Sequence, residues 1–144
     1  MIKVALLGFG VVGSGCAEVL TQNKDLICAK VGDEVEIKYI LDLRDFPDSP
    51  FADKVIHDYS VIANDPDVSV VIEVMGGSHP AYEYTVAALK AGKHVICEKP
   101  VTLSTASLER MIAAANKAGK IFSVHQNRRW DVDTLAIKKL YESG

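Results

Sequence analysis

Six short apolar runs, each separated from the next by residues with helical or turn character, constrain this chain more than any other feature. The runs are IKVALLG (2–8), VEIKYILD (35–42), VIHD (55–58), VSVVIEVM (68–75), HVIC (94–97) and IFSVH (121–125). Each is too short for a buried helix and nearly continuous in apolar character, which is how a strand covered on both faces reads. The intervening segments VVGSGCAEVLTQN (11–23), YSVIAND (59–65), PAYEYTVAALKAG (80–92), TASLERMIAAANKAG (105–119) and WDVDTLAIKKLYESG (130–144) carry helical spacing. Strand and helix in alternation predict an α/β class with a parallel sheet. The expected architecture is a doubly wound sheet of six strands in the order 3-2-1-4-5-6, with helices on both faces, in one domain spanning 1–144.

Local signals sharpen the boundaries. Pro80 opens a helix that Gly92 closes. Ser104 is a good N-cap for a helix whose Leu108, Met111, Ile112 and Ala115 share a face and which Gly119 ends. NKDLICAKVGDE (23–34) reads as a polar loop, and LRDFPDSPFADK (43–54) as a loop with one helical turn near PFADK.

Composition excludes several functions. A net charge of −3 with 24% charged residues offers no field for a polyanion, so nucleic acid is not an expected partner. The opening MIKVALL stops at Gly8, too soon for a membrane span and without a cleavage site, so neither membrane insertion nor secretion is expected. Cys16, Cys28 and Cys97 form no C-x-x-C pair, which suits a reduced cytoplasm. The histidines and cysteines lack metal-ligand spacing, and no nucleophile stands beside a base.

The first strand runs into Gly8-Phe9-Gly10-Val11-Val12-Gly13, a G-x-G-x-x-G turn between strand and helix. Gly8 permits the tight turn, Gly10 lets a pyrophosphate approach the backbone, and Gly13 lets the helix pack on the sheet. Free N–H groups at the helix N-terminus then hold the phosphates, so the expected ligand is a dinucleotide, NAD or NADP. Asp42 ends the second strand, where an acid takes ribose hydroxyls, and Arg44 could bind a 2′-phosphate instead. The choice between NAD and NADP stays open, as does a plain solvated turn. Gly76 and Gly77 end the fourth strand on the ligand side of such a sheet, with the nicotinamide or its ribose as the expected neighbour. His79 is a candidate there too, either as a contact or, like Ser78, as a helix cap.

Glu98, Lys99 and Pro100 stand at the end of the fifth strand on the same rim. A lysine there can orient a hydroxyl or carbonyl and help move a proton, although composition alone reads the stretch as a charged turn. The segment AGKHVICEKPVTLSTASLERMIAAANKAGKIFSVHQNRRWDVDTLAIKKLYESG (91–144), with its E-K-P tripeptide and QNRRWD run, closely resembles the nucleotide-binding domain of the Gfo/Idh/MocA oxidoreductases. That resemblance implies that Lys99 is catalytic, lying beside the nicotinamide and acting on the substrate hydroxyl. It also implies that Glu98 contacts the nicotinamide ribose and that Asn127 and Arg128 are nicotinamide-side contacts. IKVALLGFGVVGSG and VVIEVMGG are instead similar to the cofactor domain of homoserine dehydrogenases, which follow their fifth strand with T-x-N-K and not E-K-P. The two resemblances meet near Gly92, and both imply NAD(P).

Two arginines before the last helix, Arg128 and Arg129, sit where the helix dipole disfavours cations, so they either face phosphate, substrate or a further domain or are simply solvated, with Trp130 expected to pack at the same junction. The resemblance implies a substrate domain after about residue 144, which would supply the catalytic histidine or aspartate. Cofactor binding with little or no turnover is therefore expected of these residues alone, with a small-molecule substrate only where a second domain is supplied. A stand-alone NAD(H)-binding module that senses redox state or partners another chain is the alternative from a different class.

Overall fold

The computed structural model describes residues 1–77 and 79–144. Its strands are β1 (Ile2–Leu7), β2 (Val35–Leu41), β3 (Val55–Ile56), β4 (Val68–Glu73), β5 (His94–Glu98) and β6 (Phe122–His125). Its helices are α1 (Val11–Gln22), α2 (Lys24–Val31), α3 (Tyr59–Asn64), α4 (Ala81–Lys90), α5 (Thr105–Ala118) and α6 (Val132–Glu142). Single 3-10 turns cover Ala52–Lys54 and Asn127–Trp130. The strands form one parallel sheet in the order β3-β2-β1-β4-β5-β6, as the sequence predicts.

The two-residue period of a strand divides β1 between two cores. Ala5 and Leu7 join Leu41, Val71, Leu89, Val95 and Ala115 on one face, while Val4 and Leu6 join Phe9, Ala17, Ile37 and Ile40 on the other. One buried cation steadies the entry to β4. Lys93 Nζ donates to the carbonyls of Asp65 and Val68 at 2.7 and 3.0 Å, and burial lowers its pKa. Ser104 caps α5 by accepting from the Ser107 N–H, and Gly119 closes that helix in the left-handed region, both as expected.

Three local expectations fail. Residues 24–31 form α2 where a loop was expected. No residue of this helix is buried, so it lacks the apolar stripe by which a helix is recognised, and its end is marked only by Gly32 at φ +78°. On α5, Met111 and Ala115 are buried but Ile112 is 44% exposed, because the contact is narrower than the apolar stripe. Trp130 does not pack at the junction before α6. It is 73% exposed on a 3-10 turn, and α6 itself, which begins at Val132 and not Trp130, buries no residue.

The closest approach in the fold lies where α1 meets β1. A Cβ built on Gly13 would stand 2.1 Å from the Gly8 carbonyl oxygen, a backbone atom that no rotamer change can move aside. Gly13→Ala is therefore expected to push α1 off the sheet and cost about 1–3 kcal/mol, as overpacking does. Urea unfolding checks this, and a midpoint equal to that of the native chain would contradict the packing described.

Candidate functional site

All six strands point the same way, so their carboxyl ends share one rim, and the switch point between β1 and β4 opens a crevice there. The Gly8 N–H donates to the Leu41 carbonyl at 2.7 Å and the Val74 N–H to the Leu7 carbonyl at 2.9 Å, which ties the glycine turn between its neighbouring strands. Gly8, at φ +98°, is pressed against Met75 and the Val74 carbonyl. A Cβ on Gly10, by contrast, would meet nothing within 4 Å, so the backbone there stays open to a ligand. Helix α1 starts with no side-chain cap and no acidic residue in its first turn. Its free N–H groups and dipole form an anion site that no side chain among the described residues caps.

Two adjoining clefts run along this rim. The first, about 490 Å³, is lined by Gly8, Phe9, Gly10, Asp42, Arg44, His57 and Gly76 among others. The second, about 630 Å³, is lined by residues that include Glu73, Gly77, Glu98, Lys99, Leu103 and Arg110. Met75, Gly76 and His79 border both, so the clefts are continuous. Ser78, weighed above as a cap, lies outside the described residues.

At the far end of the first cleft, Asp42 is heavily engaged. Its carboxylate accepts from the Phe9 N–H at 2.8 Å, from the Arg44 N–H at 3.0 Å, and from Arg44 Nε and Nη2 at 3.0 and 3.1 Å. The Arg44 guanidinium, ahead of the opposing effect of partial burial, holds the Asp42 pKa down to about 2, with the Phe9 and Arg44 amides adding to it. The exposed guanidinium also lies 5.0 Å from the Phe46 ring. His57, which the sequence did not single out, hydrogen-bonds the Asp42 carbonyl through Nδ1 at 2.7 Å and lies 3.0 Å from Asp45 through Nε2. The bond to that carbonyl, chief among the causes, raises its pKa.

In the second cleft Glu98 accepts from His125 Nδ1 at 3.0 Å and lies 3.9 Å from Lys99 Nζ. Partial burial pushes the Glu98 pKa up, but His125, the Lys99 N–H and the Lys99 ammonium together outweigh it and leave the acid below its ordinary range. The Lys99 side chain is half-exposed over the cleft. His79 is exposed and bonded to Glu83 at 2.6 Å, which holds it at the border of the two clefts.

The remaining sequence candidates are placed differently. Val11 is 91% exposed on the first turn of α1, Val12 is exposed beside it, and Gly13 is buried as a packing residue. Asn127 and Arg128 lie on the turn beyond β6 and are not among the residues lining either cleft. Arg128 is exposed and paired with Asp131 at 3.1 Å. Glu73, Cys97 and His125 went unnoticed in the sequence. Only Glu73 left a signal, as the one charged residue in an otherwise apolar strand. Among the described residues no helix is long and apolar enough to cross a membrane.

Residues 2–126 match the Gfo/Idh/MocA family model, an oxidoreductase family with an NAD-binding Rossmann fold. The scyllo-inositol 2-dehydrogenase (NADP(+)) IolW of Bacillus subtilis is 39% identical across 99% of the chain, which spans 38% of that enzyme. The homoserine dehydrogenase of the same organism is 42% identical over 66% of the chain and 23% of its own length. Among solved structures, an NAD-binding protein from Listeria innocua superposes with a TM-score of 0.81 at 31% identity, over 99% of the chain and 40% of its own. The family model reaches back across the glycine turn, and the homoserine dehydrogenase likeness, over 66% of the chain, overlaps the stretch it covers.

The folded pKa of Asp42, about 2, lies below its unfolded value, so its contribution to stability is fully present above the ordinary carboxylate range and is lost as pH falls toward 2. Urea unfolding of the native chain and of Asp42→Asn is expected to differ most near about pH 5 and to converge by about pH 2. A difference that stays constant over that window would refute the pairing.

Proposed function

The chain belongs to the Gfo/Idh/MocA oxidoreductase family and carries its NAD(P)-binding Rossmann domain, and from that premise we propose that it serves hydride exchange between a nicotinamide cofactor and a hydroxyl or carbonyl of a sugar-like or polyol substrate. The observation that carries this reading is the placement of an uncapped helix N-terminus and the Lys99 ammonium along one continuous crevice. The first suits the phosphates of a dinucleotide and the second the oxygen of a substrate.

The residues divide the work along the rim. The amides of Gly10, Val11 and Val12 would hold the pyrophosphate, with Gly8 and Gly13 setting the turn and Phe9 tying it to Asp42. Asp42 and Arg44 would meet the adenosine ribose as a unit. The acid accepts from a hydroxyl where its lone pairs allow, and the outer N–H groups of the guanidinium suit a 2′-phosphate. Gly76, Gly77 and His79 would pass beneath the middle of the cofactor, and Glu98 would accept from the nicotinamide ribose. When bound, the nicotinamide supplies the hydride acceptor or donor. Lys99 Nζ would donate a hydrogen bond to the substrate oxygen, orient it, and take or return its proton.

Asn127 and Arg128 would reach this site only from the turn beyond β6, which makes them the weakest members of the set. Val11 and Leu103 stand exposed on the rim and Lys99 is half-exposed, so the described residues give the substrate no second wall. A further domain would have to supply that wall, exclude water and add the remaining acid or base. A homoserine dehydrogenase-like role rests on the likeness of the first half, and a sensing module on the dinucleotide cleft alone. E-K-P, in place of T-x-N-K, weighs for the polyol reading.

Fluorescence titration is expected to show saturable binding of NADH and NADPH by the 144-residue chain, without substrate-dependent turnover. Binding of neither would overturn the proposal. Lys99→Ala should leave both affinities within about twofold, since its partner is the substrate. Arg44→Ala should weaken NADPH about tenfold more than NADH, the worth of one charge-assisted hydrogen bond, about 1.5 kcal/mol. Equal losses for the two cofactors would show that Arg44 does not read the 2′-phosphate.

A further inference from the structure

The second cleft has a charged residue in its floor that the proposed chemistry does not use. Glu73 is 3% exposed and Cys97 is 2% exposed, and the two are direct neighbours in the parallel register of β4 and β5. Glu73 Oε2 accepts from the Cys97 thiol with Sγ 3.0 Å away, and Oε1 accepts from the Met75 N–H at 2.7 Å. Among the described residues no cation pairs with it, and burial raises its pKa.

These contacts fall at a place where the backbone needs them. After β4 leaves the sheet, the Val74 N–H still reaches the Leu7 carbonyl, but the next amide, Met75, has no strand left to bond. The Glu73 carboxyl turns back and satisfies it, and so fixes where the Met75–Gly77 segment begins. Met75 in turn is pressed against Gly8, at the head of the glycine turn. The other carboxyl oxygen holds the residue immediately before Glu98 and Lys99. One side chain thus links the loop under the middle of the crevice to the strand end that carries the E-K-P residues. The thiol suits this role. Burial, ahead of the neighbouring carboxylates, pushes its pKa up, so it stays an S–H donor and is a poor nucleophile.

We propose that Glu73 and Cys97 are positioning residues that set the height of the Met75–Gly77 loop against Glu98 and Lys99, and thereby fit the second cleft to the nicotinamide half of the cofactor. This rests on the dinucleotide reading above. It predicts an effect greatest on the nicotinamide half of the ligand, because Gly10 and Asp42, the proposed pyrophosphate and adenosine contacts, line only the other cleft, which the loop borders through Met75 and Gly76.

The test compares NADH with ADP-ribose, which lacks the nicotinamide, by calorimetry on the native chain, Glu73→Gln, Cys97→Ala and Cys97→Ser. Glu73→Gln keeps an acceptor for Met75 but no longer accepts from the thiol, and is expected to weaken NADH about tenfold with ADP-ribose unchanged within about twofold. Cys97→Ala should weaken NADH about fivefold, and Cys97→Ser, which restores a donor, should return it to within about twofold of native. The emission of bound NADH should shift with the first two variants and not with the third. Equal losses for NADH and ADP-ribose would make the pair merely structural and overturn the proposal, as would unchanged binding of both. Should the native chain bind ADP-ribose and NADH normally while the variants fail to separate them, the dinucleotide reading stands and this inference falls. Absence of native binding overturns both.

Discussion

The contact between Gly13 and the Gly8 carbonyl sets the terms for the rest of the molecule. Because no side chain intervenes, α1 sits close on the sheet and its first turn points at the crevice between β1 and β4. The unmatched N–H groups of that turn are a feature of positive potential that the backbone itself builds there. Everything else on the rim is arranged around it. The glycine turn is tied to the end of β2 by Asp42, and Leu7, just before it, accepts from the Val74 N–H beyond β4, so displacing the helix would loosen both clefts together.

A crevice meant for an anion carries three acids at the strand ends, and each is handled differently. Asp42 is matched by a guanidinium and two amides, which leaves it ionised but spent within the protein. Glu98 is matched by an imidazole and an ammonium and stays ionised below its ordinary range. Among the described residues no cation pairs with Glu73; burial favours its neutral form while two donors compete for the charged one. Negative charge on the rim is thus matched locally at two positions, and at the third burial works against it.

The sequence made the large features legible because they are short-range. Strands covered on both faces, the G-x-G-x-x-G turn and E-K-P are each contiguous, and the parallel order of the sheet follows from their alternation. What escaped depends on neighbours far along the chain. The link from Glu73 to Cys97 spans 24 residues and exists only through the register of β4 with β5. His125 reaches Glu98 in the same way across β5 and β6. Helix α2 escaped for another reason. It buries nothing, so its sequence carries no periodicity to read, and its polar character placed it among loops.

Binding and chemistry separate physically along the rim. The proposed phosphate and adenosine contacts come from backbone amides and from an acid held by four hydrogen bonds, all preorganised within one sheet and one helix. The E-K-P lysine is different. Its side chain is half in solvent, its distance to Glu98 is long for an ion pair, and the apolar residues flanking it are uncovered. In water an ammonium so placed is worth little to a reacting oxygen, since the high dielectric weakens its field. Enclosure would strengthen that field without moving the lysine. On the proposed reading, the catalytic value of Lys99 is therefore set by whatever covers the rim, whereas affinity for the dinucleotide is set by the sheet itself.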